Sequence, residues 1–229
     1  MIRTSRAVHV LALAFVLGCL PATALAQVFI GGAKPRPGTF EVTGGGTWTG
    51  GKTFPSSAAT LTPNPSGGLS SFELFNTKPR LEPVFGVHGL LGVYVTRSLS
   101  IEGGLHFSRP NLEFRLEDDA EDAPDVTATT TITSYVFTGS LVYHFTTTGR
   151  TVPFIAGGAG HIRDVHAGNE IVETGLEYHA KAGIKSWFGR VRKFGLRAEA
   201  TLSVRDGGFS YEDDVRMAPG AAVSLLYLF

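Results

Sequence analysis

The sequence predicts an all-β fold: a closed, antiparallel, eight-stranded transmembrane up-and-down β-barrel. Three observations carry this reading. The chain opens with an export signal, eight later segments alternate apolar and polar residues, and the connectors between them alternate short and long.

Arg3 and Arg6 precede an apolar run of 14 residues, Ala7 to Leu20, and Ala24-Leu25-Ala26 offers a small-x-small cleavage site. The run is shorter than the roughly 20 residues that a membrane-spanning helix needs. Residues 1–26 are therefore expected to be a signal peptide, 27–38 a periplasmic lead-in and 39–229 the barrel. Val16-Leu17-Gly18-Cys19 loosely matches a lipoprotein box, which leaves lipidation of Cys19 as an alternative to the Ala-Leu-Ala site. Beyond residue 26 there is no cysteine, hence no disulfide or thiolate metal site. The same segment has two more acids than bases, no footprint for nucleic acid. Only 17% of residues are charged and 29 are glycine, unusual for a soluble globule and expected of a membrane barrel.

The first strand is predicted near 39–48, with Phe40, Val42 and Trp48 on one face. The second (85–96) groups Phe85, Val87, Leu91 and Val93 against His88 and Tyr94. In the third (99–108), Leu99, Ile101, Leu105 and Phe107 oppose Ser100, Glu102, His106 and Ser108. The fourth (131–145) groups Tyr135, Phe137, Leu141, Tyr143 and Phe145. The fifth (152–162) is rich in Gly and Ala and ambiguous in parity. The sixth (178–187) sets Tyr178, Ala180 and Ile184 against His179, Lys181 and Lys185. The seventh (194–205) sets Leu196 and Leu202 against Arg197, Glu199 and Arg205. The eighth (218–229) groups Ala221, Val223, Leu225, Tyr227 and Phe229. Each is near the 9–11 residues that cross a bilayer when tilted. Connectors 97–98, 146–151 and 188–193 are short, and 49–84, 109–130, 163–177 and 206–217 are long, the asymmetry of periplasmic turns and extracellular loops. Phe72, Leu74 and Phe75 are expected to extend the second strand above the membrane.

Period two alone does not say which face meets solvent, and a soluble ligand-binding barrel has the same pattern turned inside out. Aromatics near strand ends and sparse charge on the polar faces favour lipid outside. The ending Ala221-Ala222-Val223-Ser224-Leu225-Leu226-Tyr227-Leu228-Phe229 resembles the C-terminal signal of outer-membrane barrels. Phe194-Gly195-Leu196-Arg197-Ala198-Glu199-Ala200 is similar to the penultimate strand of OmpA-like and OmpX-like barrels. The resemblance spans residues 39–229. It implies the cell outer membrane, recognition of Val223, Leu225, Tyr227 and Phe229 by the barrel-insertion machinery, and outer-membrane lipids and lipopolysaccharide as neighbours of a monomer. The chain ends at the barrel, so the peptidoglycan-binding domain of full-length OmpA-type proteins is not carried over.

The predicted lumen sets Glu41, Glu102 and Glu199 against Lys181, Lys185, Arg197 and Arg205, with His88, His106 and His179. An eight-stranded barrel is just wide enough for side chains to fill, and buried charges must pair. A static network is the first reading, and a gated narrow pore the alternative. His106-Phe107-Ser108 resembles the His-x-Ser pair of PagL-type lipid A deacylases, but its parity points it away from lipid, and Arg109-Pro110-Asn111 departs from that family. Six acids among residues 117–125 are read as a solvated loop, with divalent-cation binding as the alternative. The functional expectation is a structural or surface-interaction protein with a filled lumen, no enzyme and no cofactor. The alternative is a barrel that binds or passes ions or small molecules.

Overall fold

The computed structural model describes residues 35–61, 72–120, 124–147, 149–167, 171–189, 192–208 and 215–229. The expected signal peptide, Cys19 and most of the lead-in lie outside these residues.

Eight strands close the barrel: β1 (Phe40–Thr49), β5 (Val84–Tyr94), β6 (Leu99–Ser108), β8 (Val126–His144), β9 (Thr151–His166), β10 (Val172–Phe188), β11 (Phe194–Gly207) and β12 (Arg216–Leu228). Each pairs antiparallel with the next around the ring, and β1 with β12 completes it through Glu41↔Leu228 to Thr49↔Gly220. Closure satisfies the backbone of every ring strand without leaving an edge in lipid.

The strands alternate as the sequence does. Leu225, Val223, Leu91, Phe137, Leu141, Ile155 and Ile184 are exposed outward, while their neighbours in each strand are buried or half-buried. Phe85, Trp48, Phe40, Phe145, Phe188, Phe194 and Phe229 are exposed near the strand ends, the position of an interfacial girdle. The ambiguous fifth segment resolves as β9, with Val152, Phe154, Ala156 and Ile162 inward.

Four further strands stand outside the ring at the long-connector end: β2 (Lys52–Thr53), β3 (Ser57–Leu61), β4 (Phe72–Leu81) and β7 (Asn111–Glu117). β4 pairs with β2, β3 and β7, and β7 pairs with the first third of β8. The expected loops 49–84 and 109–130 are thus largely strand. Phe72, Leu74 and Phe75 belong to β4, which Glu82 and Pro83 separate from β5. The connectors 163–177 and 206–217 shrink for the same reason: β9, β10 and β11 run beyond their predicted ends. There both faces carry charge, so apolar alternation ceases while backbone pairing continues. Where this sheet meets the barrel mouth, Phe54, Leu81, Leu112 and Ile132 form a buried apolar cluster. On its polar face Lys78 donates to Glu117, and Arg115 bonds Glu117 and Asp125. The bond to Glu117 holds the Lys78 ammonium above its ordinary range, and that to Asp125 does the same for Arg115.

Candidate functional site

The lumen holds the chemistry. Arg197 of β11 and Lys185 of β10 are both fully buried, inward by parity from neighbouring strands paired Lys185↔Arg197. Arg197 Nη1 donates to both Glu102 oxygens at 2.9 Å, and its Nε to Glu199 Oε2 at 2.7 Å. Lys185 Nζ donates to Glu41 Oε1 at 2.7 Å and Glu102 Oε1 at 3.2 Å. Tyr94 Oη donates to Glu41 Oε2 at 2.9 Å. Charge-assisted bonds of this kind offset the desolvation that either ion alone would suffer.

The Phe154 ring lies under both cations, 4.6 Å from Arg197 Cζ and 5.4 Å from Lys185 Nζ. That geometry suits cation–π attraction. Gly183 makes it possible, since a Cβ there would run into Phe154 and the backbone of Ala198. On the short-turn side, Tyr94, Val152, Trp187, Leu226 and Leu228 pack into an apolar plug.

Lys181 lies 3.6 Å from Glu199 Oε1, and Arg205 Nε donates to Glu177 Oε2 at 2.8 Å. Glu41, Glu102, Lys185, Arg197 and Glu199 thus form one connected cluster, which Lys181 joins through Glu199. Arg205 belongs to a second, nearer the long-connector mouth. A small cavity between the two clusters is lined by His88, His106, Lys181, Glu199, Thr201 and Arg205.

Sequence reasoning left out Asp164, Glu177, Arg216 and His144, all buried. Glu177, Asp164 and Arg216 fall just beyond the predicted ends of their strands. Extending the parity of His179 by one step places Glu177 inward. With these, five acids (Glu41, Glu102, Asp164, Glu177, Glu199) face five bases (Lys181, Lys185, Arg197, Arg205, Arg216) below the rim pair of His166 and Glu173.

Four histidines line the same space, each bonded through Nε2 to a hydroxyl on another strand: His88 to Ser224, His106 to Thr47 at 2.7 Å, His144 to Ser100 at 3.1 Å and His179 to Ser140 at 2.8 Å. Gly158 leaves the room that His179 occupies beside Ser140. His106 Nε2 is engaged by Thr47, and among the described residues no hydrogen bond joins His106 to Ser108. Of the acidic run, Glu117 and Asp125 are engaged by Lys78 and Arg115, and Glu121 and Asp122 lie outside the described residues. No group of three metal-ligating side chains occurs among the described residues.

This closed ring, charged inside and apolar outside, matches solved structures along nearly their whole length. Neisserial surface protein A aligns over 84% of this chain and 99% of its own, with 13% identity and a TM-score of 0.51. The outer membrane protein OprG from Pseudomonas aeruginosa aligns over 85% of this chain and 97% of its own, with 12% identity and a TM-score of 0.54. The fold is that of the small outer-membrane β-barrels. No family model and no curated protein sequence matches the chain. The likeness at these identities is one of architecture.

Proposed function

We propose that the protein is a monomeric outer-membrane barrel with a sealed lumen, acting in envelope structure or surface contact through the sheet it raises at the long-connector end. The observation that carries this reading is the cross-lumen cluster of Glu41, Glu102, Lys185, Arg197 and Glu199, seated on Phe154 and the apolar plug. Side chains from β1, β6, β9, β10 and β11 meet there, which supports a filled lumen. The sheet of β3, β4, β7 and β8 supports the surface role, because it lies beyond the apolar belt and exposes charged residues. Both aligned proteins, one called a surface protein and the other an outer membrane protein, agree with this role. The outward row Val223, Leu225, Tyr227 and Phe229 of β12 is the segment proposed for recognition by the insertion machinery. Lipopolysaccharide is the proposed neighbour at the outer leaflet. No catalytic role is assigned.

Planar bilayers test the seal. Wild type is expected to show no conductance steps. Steps in wild type that change in Arg197→Ala or Glu102→Ala would replace this reading with an ion-conducting barrel gated by the same pairs.

A further inference from the structure

The outward faces of the eight ring strands are almost free of charge. By strand parity, among the described residues, only Arg163 of β9 and Asp206 of β11 carry a formal charge there, both near the long-connector end. Along β9 the outward row reads Pro153, Ile155, Gly157 and Ala159, then His161 and Arg163. From Pro153 to Arg163 is about 33 Å of strand, which at the usual tilt is about 25 Å across the bilayer, the height of the apolar band. Arg163 therefore stands at the outer edge of that band.

Its neighbours fit the same level. Arg163 registers with Tyr135 of β8, and Tyr135 packs on Phe107 of β6, their ring centroids 5.3 Å apart. The outward row of β6 continues past Phe107 to Arg109, which is exposed. Arg109 and Arg163 thus flank β8, about 12 Å apart by two strand spacings and a two-residue offset. Among the described residues neither has an ion-pair partner. Asp206 is held off, since it registers with Leu176, and Leu176 with His161.

A cation turned to hydrocarbon is costly and is tolerated where it reaches the headgroup layer. Arginine presents a planar fork of donors matched to phosphate oxygens. We propose that Arg163 and Arg109, with Tyr135 between them, form a binding site on the outer wall of the barrel for a phosphate-bearing lipid headgroup of the outer leaflet. His161, one step lower on β9, adds a polar contact towards the acyl side. The inference rests on the reading of the chain as an outer-membrane barrel and adds a specific lipid site to it.

The test uses the purified barrel in detergent and native mass spectrometry. It is offered phosphatidic acid, diacylglycerol with the same acyl chains, and inorganic phosphate. Phosphatidic acid is expected to stay bound, and the other two not. Arg163→Ala is expected to weaken binding by about tenfold or more, the effect of one lost charge-assisted contact, and Asp206→Asn to leave it unchanged. Equal retention of phosphatidic acid by Arg163→Ala and wild type would overturn the site. Equal retention of diacylglycerol would mean that acyl chains alone bind, and retention of inorganic phosphate that the site serves soluble anions; either rejects the proposal. Gel migration of the same samples with and without boiling reports the barrel separately. An intact barrel that ignores phosphatidic acid refutes the lipid site and leaves the barrel reading standing.

Discussion

The guanidinium of Arg197 sits 4.6 Å above the centre of the Phe154 ring while its Nη1 donates to both oxygens of Glu102 at 2.9 Å. One cation is thereby held from below by an aromatic face and from the side by a carboxylate.

Removing Glu102 takes the shared acceptor from both Arg197 and Lys185. Breaking a buried pair on one side costs about 3–5 kcal/mol, so Glu102→Ala is expected to lower the unfolding free energy measured in urea by that amount. Adding Arg197→Met to Glu102→Ala is expected to restore part of the loss, because the orphaned charge goes with it. A double variant no more stable than Glu102→Ala would show that packing, not charge, dominates there.

Gly183 tests the seat under the cations. Gly183→Val must displace Phe154 or the backbone of Ala198. Overpacking of this kind costs about 1–3 kcal/mol. The expected readout is a lower temperature at which the compact gel band converts to the unfolded one.

The belt predicts a depth dependence. Val223 is exposed near the middle of β12, with Ala198 opposite it on β11. An arginine near mid-bilayer costs about 2–4 kcal/mol and one near the interface about 0–1 kcal/mol. Val223→Arg is therefore expected to impair folding into lipid vesicles far more than Met217→Arg, at the rim end of the same strand. Equal costs would place the bilayer elsewhere on the barrel.

The outer sheet predicts a pH effect confined to itself. A group whose folded value is raised stabilises below its unfolded value and loses that contribution as pH climbs through the folded one. For Lys78 the contribution is present in full at pH 7 and is lost above its ordinary 10.5. Glu117→Gln is expected to speed proteolysis within β4 and β7 at pH 7 while leaving the membrane-embedded part intact. Wild type should approach the variant's cleavage rate only in strongly alkaline buffer.

The ring strands were legible because lipid on one side and a filled lumen on the other enforce period two. Leu99 to Ser108 displays it without exception, and β6 has those bounds. Above the membrane that constraint lapses. In β4, Lys78, Pro79 and Arg80 follow one another, and nothing in the order marks a strand. β7 carries its own alternation, Leu112, Phe114 and Leu116 against Glu113 and Arg115, beside an acidic run that by composition reads as a loop. In the lumen the parity of Glu102, Lys185 and Arg197 was plain, whereas Asp164 and Arg216 lay past the predicted strand ends. Their partners depend on closure of the ring, which brings together positions over a hundred residues apart, such as Lys185 and Glu41.

That dependence bears on how the chain is assembled. Glu41, Glu102, Lys185 and Arg197 arrive on β1, β6, β10 and β11, and among these four the carboxylates and the cations come from opposite halves of the chain. In a hairpin of β10 and β11 alone Arg197 already has Glu199, but Lys185 lacks both of its carboxylates, which disfavours entry of that hairpin into the bilayer alone. The network is satisfied only when first and last strands have met, so the same residues that fill the finished barrel act beforehand as a checkpoint against partial insertion.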